Sequence, residues 1–90
     1  MNPIKQNANE IIKQLIENNI EQADGKDIRN LTGLSPGDIN DAIAYLKDLN
    51  AVNVIAYLGT APYDFGTVMV TSKSRFLYNE LVSRQICNVG

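Results

Sequence analysis

Residues 24–50 run DGKDIRNLTGLSPGDINDAIAYLKDLN, and this stretch constrains the fold more than any other part of the chain. Two amphipathic segments lie either side of a tight break, Gly33-Leu34-Ser35. Asp24 and Asp27 have the spacing of a helix-start box, and Ile28 and Leu31 give the first segment one apolar edge. Gly33 is suited to the left-handed conformation that ends a helix. Ser35 then caps the second segment, Pro36 fits its first helical position, and Asp38 completes a second box. Ile39, Ala42, Ile43, Leu46 and Leu49 recur along one face, and Asn50 is a natural stop. Helices are therefore expected over about 25–32 and 35–49.

A longer helix precedes this pair. Ala8, Ile11, Ile12, Leu15 and Ile16 follow helical spacing, with Glu10, Lys13, Gln14 and Glu17 opposite. Asn7 with Glu10 reads as its capping box, giving a helix over about 7–19, although Asn2-Pro3 offers a start one turn earlier. After Asn50 the period changes. VNVIAYL, residues 52–58, is β-branched and aromatic, and TVMVT, residues 67–71, is a second short run of the same kind. Gly59, Pro62 and Gly66 make the segment between them a loop of roughly six to eight residues, so the pair is a β-hairpin. Thr71 or Ser72 caps a last helix over about 72–86, whose apolar side comes from Phe76, Leu77 and Leu81, with Tyr78 and Val82. The ninety residues are expected to form one domain, mainly α with a small β-hairpin, in the order helix, helix, helix, hairpin, helix.

Three stretches carry a likeness to a known superfamily. DGKDIRNLTGLSPGDINDAIAYLKDLNAV resembles a helix-turn-helix, VNVIAYLGTAPYDFGTVMV resembles the hairpin called a wing, and VTSKSRFLYNEL is similar to the closing pattern LTxxGRxxYxEL. Together they resemble the winged helix-turn-helix superfamily over roughly residues 24–81. Val70 and Ser74 stand where the pattern has Leu and Gly. The resemblance implies a winged helix, and the superfamily includes transcription regulators, dimerisation modules and protein-docking domains.

Carried over by position, the resemblance implies that the third helix would face bases with Asn40, Asp41 and Ala44. Asn40 has the donor and acceptor for a two-point contact to adenine. Lys26, Arg29 and Lys47 would meet phosphates. The charge balance runs against strong DNA binding: net charge is −2, and the wing, residues 59–66, carries Asp64 and no Lys or Arg. The leading expectation is a small DNA-binding, transcription-regulator-like protein that works as a homodimer on double-stranded DNA. The alternative is a winged helix that contacts protein and not DNA.

Two places suit that alternative. Pro62, Tyr63 and Phe65 put aromatic, uncharged residues at the wing, where they either meet a partner or fold back to pin the wing on the core. The last helix carries more apolar residues than one surface helix needs, so Tyr78 and Leu81 are candidates for a dimer seam between the terminal helices.

Enzyme chemistry has little to work with. The chain has no histidine and one cysteine, Cys87, so a histidine base, a histidine metal ligand and an internal disulfide are all excluded. No phosphate-binding glycine loop occurs, and the paired aspartates are explained by helix starts. No catalytic residue, metal or cofactor is expected. The opening MNPIKQNANE lacks the apolar run of a secretion signal, and no stretch is apolar enough to span a membrane, so a cytoplasmic protein is expected.

Overall fold

A computed structural model describes residues 3–56, 58 and 61–87, with side chains in the last helix described as far as residue 83. Four helices and three strands follow in the order α1 (Pro3–Glu17), β1 (Gln22–Asp24), α2 (Gly25–Thr32), α3 (Pro36–Asp48), β2 (Val52–Ala56), β3 (Thr67–Val70) and α4 (Ser72–Cys87). The strands form one antiparallel sheet in the order β1-β3-β2. The architecture is mainly helical with a small three-stranded sheet. Among the described residues, no helix is long and apolar enough to cross a membrane.

The helix boundaries follow local chemistry. At the start of α2, the Asp24 carboxylate accepts from the Asp27 N–H at 2.8 Å, and Asp27 returns the contact to the Asp24 N–H at 3.4 Å. Gly33 ends α2 at φ 74°, a left-handed turn that costs glycine little. Ser35 Oγ caps α3 by accepting from the Asp38 N–H at 3.3 Å. Asn50 takes φ 60° just beyond α3, one of the few non-glycine residues that tolerates it.

α4 begins on a tighter device. Ser74 N–H donates to Thr71 Oγ1 at 3.3 Å, while Thr71 N–H donates to Ser74 Oγ at 3.0 Å. Thr71 Oγ1 also donates to the Asn50 carbonyl at 2.8 Å, tying the end of α3 to the start of α4. Ser74 is fully buried there, so the residue standing in the pattern's glycine position is a working part of the cap.

Three expectations are corrected. α1 starts at Pro3, so Asn7 lies inside the helix, and Glu10 accepts from Gln14 Nε2 at 3.0 Å instead of closing a cap. The hairpin gains a third strand, β1, which pairs Ala23 with Val68 across the sheet. The first hairpin strand is shorter than expected: β2 is Val52–Ala56, with a bulge between Val54 and Ala56, and Leu58 lies outside it. Tyr57 of the expected strand and Gly59 and Thr60 of the expected loop lie outside the described residues, as do the side chains of Ile86 and Cys87.

The core lies between α1, α2, α3 and one face of the sheet. Ile11, Ile12 and Leu15 from α1 meet Ile28 from α2, Ile39, Ala42, Ile43 and Leu46 from α3, and Val52, Val68 and Val70 from the strands. Phe65 from the β2–β3 loop joins this cluster. Packing α3 inward by these four residues leaves Gly37, Asp41, Ala44 and Lys47 exposed on its other side.

Candidate functional site

The β2–β3 loop and the outer side of α3 come together. Asn40 sits at the edge of the helix, half-buried, and both ends of its amide reach the loop. Its Nδ2 donates to the Pro62 carbonyl at 2.9 Å, and its Oδ1 accepts from the Asp64 N–H at 2.9 Å. A carbonyl only accepts and a backbone N–H only donates, so the amide has one possible orientation.

Two aromatic side chains hold the loop from beneath. Phe65 is 5% exposed and belongs to the core. Tyr63 is half-buried, tilted against Phe65 with ring centroids 6.2 Å apart, and its ring lies on Gly25 so closely that a Cβ there would overlap it. Gly66 closes the loop, where an added Cβ would come within 2.7 Å of the Ala56 and Leu58 carbonyl oxygens. Phe65 is thereby removed from the set of residues able to touch a partner, and Tyr63 offers only part of its ring. Pro62 stays exposed.

The candidate DNA-facing residues divide. Asn40 is bonded to the loop. Asp41 and Ala44 are exposed on α3. Lys47 shares a hollow of about 170 Å³ with Asn40, Ala44, Asp64 and Phe65. Lys26 and Arg29 lie on the other side of the loop, both exposed, along a groove of about 550 Å³ that also meets Asp24, Tyr63 and Phe65. The three cations are thus split across the loop, with a carboxylate beside each group.

A second surface lies between the two terminal helices. α1 and α4 meet along a cleft of about 230 Å³ lined by Asn9, Glu10, Lys13, Glu17, Tyr78, Leu81 and Val82. The Tyr78 hydroxyl donates to Glu17 Oε2 at 3.0 Å. That bond raises the phenol pKa above its ordinary 10.0, with smaller contributions from burial and from the Glu17 charge. Among the described side chains of α4, Ser74 alone is buried; Leu77, Tyr78, Leu81 and Val82 are half-buried, and Phe76 is 60% exposed.

Sequence reasoning missed Gly25 as the platform for Tyr63 and Glu17 as the partner of Tyr78. Gly25 directly follows the Asp24 cap, and Glu17 is one of several polar residues on the outer side of α1. Both contacts join positions far apart in the chain, which no local spacing reports. Among the described residues no three of His, Cys, Asp and Glu gather as a metal would need. Comparison of the chain with protein-family models, with curated proteins and with solved structures finds no match.

Proposed function

We propose that this chain is a small winged-helix protein whose work is protein contact, and that it pairs with a second copy through α1 and α4. The observation that carries this reading is the apolar side of α4. A helix from Ser72 to Cys87 normally buries one apolar face, yet here Phe76 is 60% exposed, Leu77, Leu81 and Val82 are only partly buried, and among the described side chains of α4 no apolar one is fully buried. The neighbouring face of α1 carries both signs, Lys13 beside Glu10 and Glu17. A two-fold pair sets one patch against itself, so a patch holding both charges and an apolar strip is self-complementary.

The test is molar mass in solution against concentration, for the wild type and for Phe76→Glu and Leu81→Glu. The wild type is expected to be a dimer and both variants monomers. Phe76 is exposed enough that its substitution leaves the fold intact, which separates loss of pairing from loss of structure. A wild type that stays monomeric at every concentration overturns the reading.

A second reading, a dimeric DNA-binding regulator, is favoured by one observation: Lys26, Arg29 and Lys47, the three cations that the resemblance would set toward phosphates, are all exposed. Against it stands Asn40, whose amide is already bonded. Fluorescence anisotropy with mixed-sequence duplex at about 50 and about 200 mM salt tests it, since phosphate contacts weaken steeply over that range. Binding at the lower salt that is lost at the higher, and that weakens with Lys26→Ala, supports DNA. No binding at the lower salt removes that reading.

A further inference from the structure

Phe76 is 60% exposed and stands on the outer side of α4. Beside it, α1 and α4 leave a hollow of about 130 Å³ lined by Lys5, Asn9, Leu77, Glu80 and Leu81. Leu77 follows Phe76 in the chain, and Glu80 lies one helical turn further along the same ridge. Phe76 itself does not line the hollow. A knob and a hole are therefore neighbours on one surface. The larger cleft at Tyr78 opens on the other flank, since a side chain two positions on from Phe76 points to the opposite side of the helix. A two-fold axis passing between knob and hole carries each knob onto the other copy's hole. We propose that two copies pair with their α4 helices antiparallel, the Phe76 ring of each seated in the α1–α4 hollow of the other. The proposal rests on the pairing reading above and adds which side chain enters which site.

Size and chemistry suit a ring from a second copy. A benzene ring fits a cavity of about 150 Å³, close to the volume of this hollow. Leu77 and Leu81 are its apolar walls, and Lys5, Asn9 and Glu80 are its polar ones. That is the make-up of an interface anchor site, an apolar pocket for an aromatic side chain with polar groups around it. The polar walls hold one cation and one carboxylate, so a copy of the same patch can set the opposite sign against each. A partner of a single charge sign would meet its own sign there as well as the opposite one.

The experiment measures molar mass against concentration by sedimentation. Phe76→Ala removes the knob and keeps the hole. Asn9→Trp fills the hole and keeps the knob, and Glu80→Trp, at an exposed position on the wall, is the second filling variant. Circular dichroism and thermal melts establish that each variant is folded. Wild type is expected to pair, and each variant alone is expected to pair about thirtyfold more weakly or worse, as when an anchor residue is lost. An equimolar mixture of Phe76→Ala with a filling variant is expected to recover pairing, with one chain of each kind in the recovered species. In that mixture the knob of one chain still finds the open hole of the other; a merely structural role for Phe76 gives no such rescue. Pairing at wild-type strength in Phe76→Ala, or in a folded filling variant, overturns the seating and leaves pairing standing. A mixture that pairs no better than its components does the same. A wild type that is monomeric at every concentration removes pairing and seating together.

Discussion

Phe65 and Phe76 are the two phenylalanines of this chain, and they meet opposite fates. Phe65 sits in a polar, glycine-containing loop and is 5% exposed; Phe76 sits in an apolar helical run and is 60% exposed. Composition around each residue would assign them the other way. What separates them is the backbone opposite. The β2–β3 loop folds over a glycine at α2 and is bonded at two points by Asn40, so its aromatic side chains are pressed inward. α4 is fixed at its start by Thr71 and Ser74 and packs chiefly on α1, so Phe76 on its outer side meets no wall.

That contrast is broken most directly at Phe65. Truncating a buried phenylalanine costs about 3–5 kcal/mol, so Phe65→Ala is expected to remove a large share of the stability of this small domain. Phe76→Ala is expected to change monomer stability by no more than about 0.5 kcal/mol. Urea unfolding of the two variants side by side measures both; similar midpoints would erase the distinction.

Two glycines sharpen the comparison with opposite signs. Gly25→Ala forces the Tyr63 ring off its seat and is expected to destabilise by about 1–3 kcal/mol. Gly37, in the first turn of α3, has nothing within 4 Å of an added Cβ. Gly37→Ala is expected to stabilise by up to about 1 kcal/mol, since alanine loses less backbone freedom in a helix. Thermal melts give both signs, and a neutral Gly25→Ala would show that the ring is not held there.

Removing the Asn40 amide is a smaller change. Asn40→Ala is expected to cost about 1 kcal/mol, because the Pro62 carbonyl and Asp64 N–H are near enough to solvent to recover water. Its signature is local: amide exchange at Asp64 rises while exchange in α1 does not. Uniform acceleration would mean that the amide supports the whole fold.

The smallest expected effect is at Tyr78. Its folded-state pKa is raised, chiefly by the bond to Glu17, so the neutral phenol is favoured in the native state. The stability this bond contributes is fully present below pH 10.0, the ordinary value, and is lost as pH rises through the raised one. Tyr78→Phe should remove that alkaline dependence and change nothing near neutrality beyond loss of the bond. Ultraviolet titration of the tyrosines and alkaline melts check this. A wild type and variant with the same alkaline profile would show that the bond is not held in solution.

The parts of the fold set by neighbours in sequence were readable from the sequence. The caps at Asp24 and Ser35, the left-handed Gly33 and the inward face of α3 all depend on residues within four positions of one another. β1 was not readable. Gln22-Ala23-Asp24 has no β-branched residue and no room for an alternating pattern, and it becomes a strand only because β3 supplies partners more than forty positions away. Asn7 was misread because Pro3 offers an equally good helix start one turn earlier. At the surfaces, the chemistry of Asn40 was legible and its occupant was not, since a half-buried amide and a loop main chain meet only after both are folded.

The Thr71–Ser74 cap has a consequence for how such a chain can change over generations. It fixes the direction of α4 using a few atoms at the first turn, and a helix of that length then runs for roughly 24 Å. Among the described side chains, the exposed Lys73, Arg75, Phe76, Asn79, Glu80 and Ser83 lie on its outer side. Substitutions along the outer side of α4 therefore alter what the helix touches while its anchorage is untouched. The molecule keeps one fixed anchor and one face free to be rewritten, so that acquiring a new neighbour would need no redesign of the core.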